Sequence, residues 1–152
     1  MSSQGGYERS ARFYDLFDDR RNIEFFSSCV RSAREVLDVG AGTGRIAVSL
    51  ATKGARVWCV EPSPAMRAEL EQKLDGEPAL RERVTVLAGT ARTFALDRTF
   101  EVCVLSGTFD HFVDRAERLA SLTNIAKHLE PGGVLVFDVF LGLMSGSEMK
   151  PA

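Results

Sequence analysis

The stretch Val36-Leu37-Asp38-Val39-Gly40-Ala41-Gly42-Thr43-Gly44-Arg45 decides the fold. A compact apolar run, Glu35 to Val39, followed at once by closely spaced glycines reads as a buried strand turning sharply into a helix. Glycine at 40 and 42 permits a tight turn and close approach of the backbone to a ligand. The helix runs from about Thr43 to Lys53, where Gly54 supplies a C-terminal stop. Its N-terminus directs backbone N–H groups into the crevice beyond the strand, where open parallel sheets bind ligands.

Outward from this unit the same alternation repeats. Arg56 to Val60 is β-branched and aromatic, a second strand, and Ser63 with Pro64 forms an N-cap and first-turn proline for a helix lasting to about Leu74. Val84 to Leu87 and Phe100 to Leu105 are the third and fourth strands, and the link between them is too short and irregular for a helix. Asp114 caps a helix whose stripe is Leu119, Leu122, Ile125, Ala126 and Leu129. Pro131-Gly132-Gly133 ends it, and Val134 to Phe140 is the fifth strand. Upstream, Tyr7 to Ala33 gives two short amphipathic helices broken near Asp18–Arg21. Strands alternating with helices mean right-handed crossovers and a parallel sheet covered on both faces.

The 152 residues suit one domain. A composition 45% hydrophobic and 26% charged excludes disordered, collagenous and disulfide-scaffold classes. A formal charge of −2 carries no electrostatic footprint for nucleic acid or an anionic membrane. Cys29, Cys59 and Cys103 read as buried thiols of a reducing compartment, and with His111 and His128 they assemble no zinc spacing. No apolar run is long enough to span a bilayer and the N-terminus lacks a signal-peptide core, so a cytosolic location is expected.

Three features narrow the ligand. The dinucleotide fingerprint needs its third glycine where this chain has Arg45, and the phosphate loop needs Gly-Lys-Ser/Thr where it has Gly-Arg-Ile. Asp38, two residues before the first glycine, is awkward beside a pyrophosphate but suits a ligand carrying an ammonium group; it also reads as a turn former bonding loop amides. Glu61 ends the second strand 17 residues past Gly44, where a carboxylate accepts both hydroxyls of a ribose, or else stands as a charged strand end beside the Ser63 cap. Met66 either covers an adenine face or packs in the core.

The segments VLDVGAGTGRIAVSLA, VWCVEPSPAM, VTVLAGTA, FEVCVLSGTFDHF and LEPGGVLVFDVF resemble, in order, the motifs of class I S-adenosylmethionine-dependent methyltransferases. The resemblance runs from about Tyr7 to Phe140. It implies an α/β, Rossmann-like open parallel sheet of about five strands in the order 3-2-1-4-5, with helices on both faces. Residues 1–34 would form an N-terminal helical lid, 35–140 the cofactor-binding core and 141–152 a tail, within a single domain. By this likeness Asp38, Gly40, Ala41 and Gly42 would hold the methionine moiety of S-adenosyl-L-methionine, and Glu61 with Pro62 the ribose. Met66, Thr90 and Ala91 would meet the adenine, Ser106 would line the methyl side, and Tyr14 would close over the cofactor. Two departures stand out: Thr90 replaces a usual acid, which implies weaker cofactor binding, and the family's sixth and seventh strands have no counterpart in LGLMSGSEMKPA.

The resemblance implies methyl transfer to a small-molecule acceptor, leaving S-adenosyl-L-homocysteine. Such a transfer is an in-line displacement with a neutral thioether leaving group; it needs no general acid, and a base only when the nucleophile arrives protonated. Proximity then carries most of the rate, and no catalytic residue is assigned. His111 is the one candidate base, but it reads more readily as a loop or helix-start histidine bonding backbone. His128, late in its helix, suits the C-terminal dipole. The alternative is a module that binds S-adenosylmethionine or its product without independent turnover, needing a partner or a further C-terminal segment. A nicotinamide-dependent oxidoreductase is a third reading, opposed by Arg45 and Asp38. Without further strands the fifth becomes a long apolar edge, so either the tail covers it or two chains pair there as a homodimer.

Overall fold

A computed structural model describes residues 20–30 and 32–139. The elements are α1 (Arg20–Cys29), β1 (Glu35–Val39), α2 (Arg45–Thr52), β2 (Arg56–Glu61), α3 (Pro64–Asp75), a one-turn α4 (Pro78–Arg81), β3 (Val84–Ala88), β4 (Phe100–Leu105), a 3-10 turn (Phe109–His111), α5 (Arg115–Lys127) and β5 (Leu129–Phe137). All neighbouring strands pair in parallel in the order β3-β2-β1-β4-β5, the arrangement expected from the sequence. Tyr14 and the tail from residue 141 lie outside the described residues, as does the first of the two expected N-terminal helices. No helix among the described residues is long and apolar enough to cross a membrane.

Local chemistry sets most boundaries. The Ser63 hydroxyl caps α3 by accepting from Met66 N at 3.3 Å, with Pro64 at the first helical position. The Asp114 carboxylate does the same for α5 through Glu117 N at 2.8 Å. Such caps contribute about 1 kcal/mol each. Gly54, at φ 102°, follows the last turn of α2.

Register gives the sheet two chemically different faces. Residues paired across a parallel ladder share a face, and successive residues alternate. Val36, Cys59, Val84 and Val104 point to one side, where they pack with Phe26 from α1 and Val30 just after it, Ile46 and Leu50 from α2, and Leu70 and Leu74 from α3. Leu37, Val39, Val60, Cys103 and Leu105 point to the other, against Phe94, Phe112 and Ile125. Three helices thus cover the first face, and α5 with the loop 89–99 covers the second.

That loop replaces a crossover helix and is held by side chains of α5. Asn124 Nδ2 donates to Ala91 O at 3.0 Å and Phe94 O at 2.9 Å. His128 Nε2 accepts from Leu96 N at 3.1 Å while Nδ1 donates to Asn124 O at 2.8 Å, and the ring lies against Phe94, centroids 4.4 Å apart. The partners fix which nitrogen carries the hydrogen. His128 therefore acts as a two-ended hydrogen-bonding ring and not, as the sequence suggested, as a charge at the helix end. Asn124→Ala, leaving two carbonyls without a donor, is expected to lower stability by about 2 kcal/mol. Asn124→Asp, which cannot donate, should cost at least as much; the denaturant midpoints of the two variants check this.

Four expectations are corrected. The α5 stripe is not the one anticipated: Leu119 is 64% exposed and Ala126 is exposed, because the buried face is centred on Ser121 and Ile125. Leu129 belongs to β5. Strand β5 begins before Pro131-Gly132-Gly133, pairing once at Phe100↔Leu129, bulging, and resuming at Val102↔Val134. Gly133 sits where an added Cβ would lie 2.9 Å from Glu130 O, so the bulge accepts no side chain there. Cys29 is exposed, whereas Cys59 and Cys103 are buried as expected.

Candidate functional site

At the carboxyl end of the sheet the polar residues fall on one face. Asp38 is registered with Cys59 and Val104, Glu61 lies two residues past Cys59, and Ser106 two past Val104. Asp138 lies two past Val136, which pairs with Val104. Counting in twos brings all four to the side covered by α1, α2 and α3.

Between β1 and α2 the loop 40–44 is wound through three left-handed glycines. Gly40 N and Ala41 N both donate to Val60 O, at 2.8 and 3.1 Å, and Gly44 N to Ala41 O at 2.9 Å. Gly42 N donates to Glu61 Oε2 at 2.8 Å. The amides of Gly40, Ala41, Gly42 and Gly44 are thus engaged within the fold, the first three stapled to the end of β2. Two glycines also serve close packing. A Cβ on Gly40 would lie 2.2 Å from Thr108 Oγ1, and one on Gly44 would lie 2.2 Å from Leu70 Cδ1. Thr108 Oγ1 sits within reach of two carbonyls, Gly40 O at 3.3 Å and Ser106 O at 3.1 Å.

The two carboxylates are in different states of satisfaction. Glu61 is buried, with Oε2 on Gly42 N and Oε1 on Ser63 N at 2.8 Å; each oxygen keeps a further lone pair. Asp38 is buried with no partner for Oδ2. Burial, and then the nearby Glu61 charge, push its carboxyl up to about 7, while Arg45 pulls the other way. Burial and the same Asp38 charge push the neighbouring Cys59 and Cys103 thiols up as well. Three buried side-chain polar atoms lack a hydrogen bond among the described residues: Asp38 Oδ2, Ser106 Oγ and Ser121 Oγ. The first two stand on neighbouring strands of one face, so the unmet hydrogen-bonding capacity concentrates where a ligand would approach.

The remaining expected residues are placed as follows. Pro62 follows Glu61 directly and Met66 is 3% exposed in the first turns of α3. Thr90 closes a turn, its hydroxyl 2.7 Å from that of Thr93 and its carbonyl accepting from Phe94 N, with Ala91 buried beside it. His111 ends the 3-10 turn with an exposed side chain. Phe112 is buried, and Phe109 stacks on Phe137 at 4.9 Å, so both pack the second face. A basin of about 530 Å³ lies at the opposite end of the sheet, lined by Arg34, Glu35, Arg56, Arg83, Glu101 and Glu130, and its mixed charges point to no single ligand. Among the described residues no cluster of His, Cys, Asp and Glu could hold a metal ion. Thr108, Asp138 and Asn22 were not anticipated. Asp138 had a signal in the sequence: the acid interrupting VFDVF mirrors Asp38 interrupting VLDVG.

Comparison with known proteins points the same way. Residues 36–133 match the family model described as a methyltransferase domain. The chain is 39% identical over 106 residues to a cypemycin N-terminal methyltransferase of a Streptomyces species, covering 69% of this chain and 41% of that protein. The glycopeptide N-methyltransferase MtfA, solved with sinefungin, superposes with a TM-score of 0.73 at 28% identity, over 79% of this chain and 49% of that one. CalS10, an amino pentose methyltransferase of Micromonospora echinaspora solved with S-adenosylmethionine, gives 0.67 at 30% identity, over 87% and 56%. The chain thus spans about half the length of these proteins.

Proposed function

Because the chain belongs to the class I S-adenosylmethionine-dependent methyltransferase family, we propose that it holds S-adenosyl-L-methionine for methyl transfer to an amine nitrogen of a small-molecule acceptor. The observation that carries the reading is Asp38: a buried carboxylate with an unpartnered oxygen beside the Gly-rich loop. An ammonium group satisfies such an oxygen, whereas a phosphate would add charge of the same sign. The residues present therefore fit an aminoacyl nucleoside.

In this reading Asp38 and Ser106 take the aminoacyl end, and the free lone pairs of Glu61 take the ribose hydroxyls with Pro62 alongside. Thr90, Ala91 and Met66 border the adenine. When bound, S-adenosylmethionine supplies an electrophilic methyl group and leaves as S-adenosylhomocysteine. The protein's own part is to hold donor and acceptor in line and exclude water, an effect worth about 7–11 kcal/mol in favourable cases. An amine arrives largely protonated at neutral pH, so a proton acceptor is needed, and His111, in the 3-10 turn after β4, is the candidate. The nitrogen acceptor is supported by what the similar proteins are named for: one is an N-methyltransferase, one an N-terminal methyltransferase and one an amino pentose methyltransferase. The net charge of −2 supports an acceptor other than nucleic acid, and the free buried thiols Cys59 and Cys103 support a reducing, cytoplasmic location.

Calorimetric titration with S-adenosylmethionine, S-adenosylhomocysteine and NAD tests the cofactor; the first two are expected to bind and NAD not. Labelled methyl transfer to a panel of small amines and alcohols tests the acceptor. Equal weak heats with all three ligands overturn the reading, and transfer to alcohols alone overturns the nitrogen assignment.

The outer edge of β5 has no ladder partner among the described residues, and Val134 and Phe137 on it, with Val139 just beyond, are 52%, 43% and 46% exposed. Open apolar edges of this kind recruit a partner strand. Either the segment after residue 139 covers this edge or two copies of the chain pair there, and both outcomes protect β5 amides from exchange. A monomer at high concentration whose β5 amides exchange freely is the contrary result.

A further inference from the structure

We propose that Asp138 is a positioning residue that ties the N-terminal helix to the loop after β4 and thereby holds the Gly-rich loop in its ligand-binding shape. The inference rests on the proposed cofactor reading and adds a residue that reading does not use. Asp138 Oδ2 accepts from Asn22 Nδ2 at 2.9 Å, and Oδ1 accepts from Gly107 N at 2.6 Å. The next residue, Thr108, reaches Gly40 O through its hydroxyl and fills the space left by the missing Cβ of Gly40. One carboxylate therefore joins α1, the end of β5, the end of β4 and, through Thr108, the loop after β1. Asn22 and Asp138 are 116 residues apart in sequence, so the link is purely tertiary.

The chemistry of this link is specific. Both partners of Asp138 donate, so the residue between them must offer two acceptors, as a carboxylate does. An asparagine at 138 keeps an acceptor for Gly107 N and turns its amide group toward Asn22, whose own amide can rotate to present its oxygen. An aspartate at 22 opposes two carboxylates, and the pair Asn22→Asp with Asp138→Asn restores a donor facing an acceptor with the roles exchanged.

The test is this set of variants in the full chain, read by S-adenosylhomocysteine affinity and by amide exchange at Gly107 and residues 40–42. Asp138→Ala and Asn22→Asp are expected to weaken binding about ten-fold and to accelerate exchange at these amides. Asp138→Asn and the exchanged pair should recover most of both. An exchanged pair no better than Asn22→Asp alone, or Asp138→Ala with unaltered exchange at 40–42, overturns the proposal. If the unaltered protein fails to bind S-adenosylhomocysteine, the cofactor reading falls, and the exchange measurement still decides the role of Asp138.

Discussion

Asp38→Asn is expected to raise the melting temperature of the ligand-free protein above pH 7 while weakening S-adenosylmethionine binding by about ten- to a hundred-fold. Both effects follow from one carboxyl group. Its titration is displaced to about 7, chiefly by burial and then by Glu61, so the folded chain holds this proton more tightly than the unfolded one does. Between about pH 4 and 7 the group therefore favours folding at the acid end, and its contribution falls as pH rises. Above 7 the ionised, incompletely paired Asp38 costs on the order of 2–4 kcal/mol. Asparagine removes that cost at high pH and flattens this part of the pH dependence, at the expense of an amide group that also lacks a partner. Binding runs in the opposite sense. An ammonium ligand needs the carboxylate ionised, so affinity in the wild type should climb as pH rises through about 7 and stay level in the variant. Thermal melts and titrations from pH 5 to 8 on both proteins check the pair of trends. A variant that loses stability at pH 8 while the wild-type affinity stays flat would contradict the assignment.

Gly40→Ala should lower stability by about 3 kcal/mol. Two terms add. The backbone there stands at φ 75°, a conformation L side chains rarely adopt, and the new Cβ would lie 2.2 Å from Thr108 Oγ1 and 2.6 Å from its Cγ2. Gly42→Ala supplies the control, since it shares a left-handed φ of 57° but its Cβ would meet nothing within 4 Å. Its expected cost is about 1 kcal/mol, the backbone term alone. Thr108→Ala in the Gly40→Ala background should recover part of the loss by removing the two closest atoms. Equal costs at 40 and 42 in urea unfolding would show that the Thr108 contact carries no weight.

These effects sort what the sequence reveals from what it leaves unread. Strand β1 and the glycine turn were legible because their causes are local: an apolar run, an interrupting acid and glycines at fixed offsets. The caps at Ser63 and Asp114 were legible for the same reason, a side chain reaching an amide three residues on. The buried face of α5 was not. Its apolar residues admit more than one stripe, and the choice depends on Asn124 and His128 reaching carbonyls and amides about thirty residues back. The engagement of the loop amides was not legible, because their acceptors, Val60 O and Glu61, belong to the next strand. Asp138 was visible as an acid in an apolar run, but its partner Asn22 is set by tertiary packing.

The placement of Asp38, Glu61, Ser106 and Asp138 on one face also bears on how such a chain can change length. Each strand delivers its terminal polar residue by counting in twos from a shared register. Removing one residue from β4 would rotate Ser106 to the apolar side of the sheet, and removing one from β1 would put Asp38 among Phe100, Cys103 and Ile125. Removing two would restore the facing but shorten the reach by about 6.6 Å. Single-residue deletions in β1, β2 or β4 should therefore abolish ligand binding where many substitutions do not. Divergent descendants of this chain would keep those three strands at constant length and gather their insertions at the opposite end of the sheet.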